Sequence, residues 1–214
     1  MIQPSECRLY GSESARITYR YPAMTPQFQV GDALLIVDVQ NDFCPGGALP
    51  VRNGDSVVAV LNKWIAAALQ ANVPVYASRD WHPSNHMSFA PHGGPWPVHC
   101  VQDTPGAALR SDLQLPDDAV IIDKGIDPAD EAYSVFANTD LTQRLGQADV
   151  KRLRVGGLAL DYGVRASALD ALREGFAVHL IADATRAVNI EPSDGDKALD
   201  EMREAGVIIE GTTP

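Results

Sequence analysis

The sequence predicts a three-layer α/β/α fold built on a mostly parallel sheet of about six strands. Three observations carry this expectation. Short apolar runs alternate with stretches of helical period along the body of the chain. The first run, Ala33-Leu34-Leu35-Ile36-Val37, is continuous rather than alternating, as a strand buried on both faces requires. Asp38, Asp80, Lys124 and the turn over 157–163 all fall at or just past predicted strand ends, where open parallel sheets place their sites.

The elements follow in order. Ala33–Val37 is the first strand. From Asp55 to Ala71, Val57, Val58, Val60, Leu61, Trp64, Ile65 and Leu69 form a helical stripe. Val73–Ser78 reads as the second strand, with Pro74 near its start, where the missing N–H costs least. Ala119–Asp123 is the third strand, and Leu141–Leu145 opens a short helix. Leu153–Gly156 is the fourth strand and Tyr162–Glu174 a helix. Ala177–Ile181 is a strand, Asp194–Ala205 a helix, and Val207–Ile209 closes the sheet. Residues 1–30 are polar and without a period. They read as an N-terminal extension that packs on the surface, pairs with a neighbouring subunit in a homo-oligomer, or is partly disordered. Residues 31–214 are expected to form a single α/β domain.

Composition narrows the function classes. The 214 residues carry 45% hydrophobic and 21% charged side chains, ordinary for one globular domain. The formal net charge of -11 argues against a nucleic-acid or anionic-membrane partner, since phosphate binding needs clustered Lys and Arg. A small-molecule substrate is the expected partner. The three cysteines, Cys7, Cys44 and Cys100, have no paired spacing, as in a reducing compartment. No apolar run is long enough to span a bilayer, and the first residues lack a basic start and apolar stretch. The cytoplasm is the expected location.

Four of the five histidines lie between Asp80 and His99. Asp80 and His82 are two residues apart at a strand end, so period-two geometry puts them on one face. His99 follows the Gly/Pro-rich loop Pro91–Pro97. Two imidazoles and a carboxylate leave positions open for water or substrate, which suits catalytic Zn²⁺ and also Fe(II) or Mn²⁺. His86 is either a fourth ligand or the holder of a metal-bound water. His92 reads as a surface residue, His179 as a structural histidine in a strand, and Cys100 as a buried inert thiol.

Asp38 ends the first apolar run directly, and a carboxylate emerging from a buried strand is costly unless paired. Lys124 is the natural partner. The pair is either a structural ion pair or half of an acid/base site. Asp42 fits a turn or helix cap.

Several segments together resemble one family: Val37-Asp38-Val39-Gln40-Asn41-Asp42-Phe43 with Pro45-Gly46-Gly47-Ala48-Leu49-Pro50-Val51, Arg79-Asp80-Trp81-His82-Pro83 with Asn85-His86 and Ser88-Phe89, Gly94-Pro95-Trp96-Pro97 with His99-Cys100-Val101-Gln102, Tyr133-Ser134 with Phe136, and Gly157-Leu158-Ala159 with Asp161-Tyr162. Over about residues 33–210 the chain is similar to the nicotinamidases (pyrazinamidases), a branch of the isochorismatase-like cysteine hydrolases. The resemblance implies hydrolysis of nicotinamide, and often of pyrazinamide, to the acid and ammonia in NAD salvage. It implies that Asp38 takes the nucleophile's proton and that Lys124 holds the aspartate and thiolate together. Asp80, His82 and His99, with His86 less surely, would bind a metal that orients the ring nitrogen directly or through water. Phe43 and Trp96 would sandwich the ring, and Tyr133 would line the pocket. The amide nitrogens of Ala159 and Gly163 would form the oxyanion hole, next to a cis peptide preceding Ala159.

One position departs from the family. Gly163 stands where the resemblance puts the nucleophilic cysteine, and the thiolate is the attacking group in this chemistry. Leu160, often Thr in the family, is a lesser departure. The expectation is therefore a chain that binds its ligand and turns it over very poorly. The alternatives are a natural pseudoenzyme that binds nicotinamide or metal, and another carbon–nitrogen amidase of the superfamily.

Overall fold

Leu34 and Ile36 point to one side of the first strand and Leu35 and Val37 to the other, and all four are fully buried. A strand of this kind needs cover on both faces, and the computed structural model, which describes residues 27–130 and 133–211, supplies it. Ten regular elements follow in sequence: β1 (Asp32–Val37), α1 (Val57–Gln70), β2 (Val75–Asp80), β3 (Val120–Lys124), α2 (Leu141–Gln147), β4 (Arg152–Leu158), α3 (Arg165–Arg173), β5 (Ala177–Arg186), α4 (Asp194–Ala205) and β6 (Ile208–Glu210). The six strands form one sheet in the order β3-β2-β1-β4-β5-β6, and every pairing is parallel. The expected extension over 1–30 lies almost wholly outside the described residues.

Two apolar cores flank the sheet. On one face Leu34, Ile36, Ala77 and Ile181 pack against Leu61, Trp64 and Ile65 of α1. On the other, Leu35, Val155 and Leu180 meet Leu145 of α2, Ala168 of α3 and Met202 of α4. Fully burying each such Leu, Ile or Val contributes roughly 1.5–3 kcal/mol. The result is the expected three-layer α/β/α arrangement.

Element bounds shift in instructive places. The second strand runs Val75–Asp80, two residues later than expected, so Asp80 is its last residue. The helix expected from Tyr162 begins with a π-turn over Leu160–Val164 before α3 proper. β5 continues to Arg186, five residues past the predicted end. Its pairing jumps from Val155↔Leu180 to Gly157↔Thr185. This bulge breaks the apolar pattern and hides the strand's second half. Among the described residues no helix is long and apolar enough to cross a membrane.

The strand order places the site. The chain builds outward from β1 through β2 to β3, then returns to the other side of β1 with β4. Order therefore reverses between β1 and β4, and a crevice opens beyond their carboxyl ends. Asp38 leaves β1 into this crevice, and the turn from Ala159 leaves β4 into it.

Candidate active site

Asp38, Asp80 and Lys124 come from the ends of three adjacent strands and form one buried ionic chain. Lys124 Nζ lies 2.9 Å from Asp38 Oδ2 and also donates to Asp80 Oδ1. Ser78 Oγ donates to Asp38 Oδ1 at 2.7 Å. Burial pushes the Asp38 carboxyl up to about 6 against the opposing pull of Lys124. Burial acts the same way on Asp80, but Lys124 and His82 outweigh it and hold that carboxyl well below the usual range. Burial likewise works against the Lys124 ammonium, and its two carboxylates overcome it, so the amine stays above its ordinary value. The chemical meaning is an asymmetric pair: a carboxyl near neutrality beside one that is firmly ionised.

Asp80 also faces a second cluster. Its Oδ2 lies 3.5 Å from His82 Nε2 and 4.0 Å from His99 Nε2. These three buried residues each offer a ligand atom, all within 4.8 Å of one another. His82 Nδ1 donates to Gly125 O at 2.9 Å, and His99 Nδ1 donates to Pro97 O at 2.8 Å. A carbonyl can only accept, so each Nδ1 carries a hydrogen, and in the neutral ring each Nε2 keeps a lone pair for a metal ion. Burial also lowers the pKa of His99, which favours the neutral ring. The residues fit a divalent cation, with open positions for a ligand.

Local structure holds this cluster. His82 N donates to Cys100 O at 3.0 Å and Gln102 N to His82 O at 2.8 Å, so the loop carrying His99 is laced to the end of β2. Phe89 is fully buried and packs its ring against His82, His86 and His99. Gly125, at φ +62°, brings its carbonyl to His82, and a Cβ there would stand 2.6 Å from His82 Nδ1. A side chain is excluded both by the backbone angle and by the ring.

His86 sits differently. Its ring stacks on His82 with centroids 4.0 Å apart. Its Nε2 donates to Asp130 O at 2.9 Å and its Nδ1 meets Ser88 Oγ at 2.8 Å. Both nitrogens are engaged within the protein, so His86 buttresses His82 and stands outside the three-residue cluster. Cys100 is buried, and burial raises its thiol well above the ordinary value.

Phe43, Trp96, Tyr133, Ala159 and Gly163 line one pocket together with the two charged clusters. Trp96 Nε1 donates to Tyr133 Oη at 3.0 Å. Tyr162, which sequence reasoning did not single out, completes this aromatic wall, with ring centroids 5.1 Å from Trp96 and 5.5 Å from Tyr133. Its neighbour Asp161 turns away and accepts hydrogen bonds from Val188 N and Asn189 N. The Leu158–Ala159 peptide is cis. Ser78 was also missed: a serine inside a strand carries no signal until its partner across the sheet is known.

A parallel sheet with a buried Asp–Lys chain, a carboxylate–imidazole cluster able to hold a metal ion and an aromatic pocket at its switch point places the chain among three-layer α/β/α proteins with an enzyme-like site. Residues 32–213 match the isochorismatase domain family. The chain belongs to that family and, by its relatives, to the nicotinamidase/pyrazinamidase group within it. It is 41% identical over 198 residues to a nicotinamidase of Escherichia coli, covering 83% of this chain and 93% of that protein. The pyrazinamidase of Pyrococcus horikoshii, solved in complex with zinc, superposes with a TM-score of 0.81 at 48% identity and covers 85% of this chain and 99% of its own. PnC1 of L. infantum, solved with nicotinate, superposes with a TM-score of 0.77 at 34% identity and covers 90% of this chain and 96% of its own.

Proposed function

We propose that this chain is a nicotinamidase-type site that binds a pyridine or pyrazine amide, or the corresponding acid, and lacks the nucleophile needed for turnover. The observation that carries the reading is Gly163. It lines the pocket, and a side chain on it would begin 3.1 Å from Asp38 Oδ2. That is where a nucleophile would hand its proton to a base. In this chain the position offers no nucleophilic atom.

In this proposal each group has one task. Phe43 and Trp96 hold the flat ring, and Tyr133 and Tyr162 close the wall beside it. The N–H groups of Ala159 and Gly163 face the ligand's carbonyl oxygen as an oxyanion hole. Asp38 is the proton acceptor, poised by a carboxyl near neutrality. Lys124 keeps Asp38 and Asp80 together and neutralises them. Asp80, His82 and His99 would hold a divalent cation, zinc in this reading, which would supply a positive charge to anchor the ligand's ring. The zinc in the Pyrococcus horikoshii complex and the nicotinate in the L. infantum complex support these choices. The parent reaction is hydrolysis of nicotinamide to nicotinate and ammonia. Residues 31–214 form the catalytic-type domain, and the cytoplasm is its proposed location.

The test is a calorimetric titration of nicotinamide into zinc-loaded protein, paired with an ammonia-release assay. Saturable binding with turnover about 10⁴-fold or more below an intact enzyme is the expected result. Ordinary enzymatic turnover by this sequence, or absence of any ligand binding, would overturn it.

A further inference from the structure

β1 ends at Val37, two residues short of the position that the register would set opposite Asp80. Asp38 turns away at φ +48°, and the last main-chain bond between the two strands runs from Asp38 N to Ser78 O at 3.2 Å. Asp80, two residues further along β2, points its N–H and C=O to the same side. No strand remains there to meet them.

Gln40 fills the gap with its side chain. Its Oε1 accepts from Asp80 N at 2.8 Å. Its Nε2 donates to Asp80 O at 2.8 Å and to Ala107 O at 2.9 Å. The side chain is fully buried, and its three partners fix which end is oxygen and which is nitrogen. The amide thus presents to Asp80 the donor and acceptor that a peptide group of a neighbouring strand would present.

Resting on the reading that Asp80, His82 and His99 hold a divalent cation, we propose that Gln40 is a positioning residue for that metal site, acting as a surrogate strand that fixes the backbone of Asp80. The reason position matters is the division of the Asp80 carboxylate. Oδ1 accepts from Lys124, while Oδ2 faces His82 and His99. A shift of the Asp80 backbone misaligns both halves at once. Neighbouring residue types cannot substitute. Glutamate would set an acceptor against two carbonyl oxygens and place another charge beside Asp80. Asparagine is one methylene short of the strand.

Outer-shell partners of metal ligands commonly cost about 10–100-fold in metal affinity when removed. The test compares the full chain with Gln40→Leu and Gln40→Glu by zinc titration against a competing chelator and by the visible absorption of bound Co²⁺. Leu145→Ala, in the core beneath α2, serves as a control that lowers stability without touching the site. Expected is a zinc affinity about 10–100-fold weaker in the Gln40 variants with an altered Co²⁺ spectrum, while Leu145→Ala keeps both affinity and spectrum. Gln40→Glu keeps the volume and the acceptor for Asp80 N–H, so it is read by the same criteria if the leucine variant does not fold. Folded Gln40 variants whose zinc affinity and Co²⁺ spectrum match the parent chain would overturn the proposal. A parent chain that takes up neither Zn²⁺ nor Co²⁺ would instead overturn the metal reading on which it rests.

Discussion

A Cβ built on Gly163 stands 3.1 Å from Asp38 Oδ2, with Leu158 O and Val37 Cγ1 next at 3.3 Å. The backbone of Gly163 lies outside the left-handed region, so an L side chain meets no conformational barrier there. A cysteine needs only a few tenths of an ångström of give, chiefly from the Asp38 side chain. Gly163→Cys is therefore expected to fold and to raise nicotinamide hydrolysis by about 10⁴-fold or more, read as ammonia release. A folded cysteine variant that stays silent would point to a binding protein with no latent catalytic site.

Lys124 sits between two buried carboxylates. Replacing it with methionine leaves both without their counter-charge. Breaking a buried ion pair from one side typically costs about 3–5 kcal/mol. Lys124→Met is expected to lose stability on that scale at pH 7 in urea unfolding. Part of the loss should return as pH falls, because the stranded carboxylates take up protons. A loss that is small and independent of pH would mean that Asp38 and Asp80 are solvated well enough to need no partner.

Some of this centre was legible in the chain and some was not, for physical reasons. Asp38 and Lys124 stood out because charges at the ends of apolar runs break a pattern that burial imposes. Asp80, His82 and His99 stood out because few structures need that density of donor atoms. Gln40 and Ser78 are uncharged, and their roles exist only through partners forty residues away. Tyr162 lay within an expected helix. The π-turn over Leu160–Val164 faces it into the pocket, and a turn of that kind keeps an ordinary helical composition. The second half of β5 was lost to its bulge. His86 carries the same sequence signal as His82 and His99, and in the fold it lines the same pocket with its ring nitrogens turned to Ser88 Oγ and Asp130 O.

Gly125 is a sharper probe of the proposed metal site than the residues proposed to hold the ion. Its carbonyl orients His82, and a methyl group at φ +62° would intrude on the imidazole. Gly125→Ala is expected to weaken zinc binding by about 10-fold or more, as loss of an outer-shell partner does. Equilibrium titration with a zinc-competing indicator measures this. An unchanged affinity would show that His82 does not depend on that carbonyl for its orientation.

The raised carboxyl of Asp38 gives stability a particular pH dependence. Its pKa moves from 3.8 to about 6 on folding, with burial the leading cause. Between those values the folded chain binds more protons than the unfolded one. The contribution of Asp38 is therefore fully present below about pH 4 and is lost as pH rises through about 6. At 1.36 kcal/mol per pKa step the change is at most about 3 kcal/mol. His86 and His99 are shifted down by burial and work in the opposite direction, so the total curve mixes both. Comparison with Asp38→Asn isolates the carboxyl. Metal-free protein and this variant, unfolded in urea at intervals from pH 4 to pH 7, should show the parent chain losing stability relative to the variant as pH rises. A difference that is flat across that range, or that grows in favour of the parent chain, would mean that Asp38 is ionised throughout, with Lys124 and Ser78 outweighing its burial.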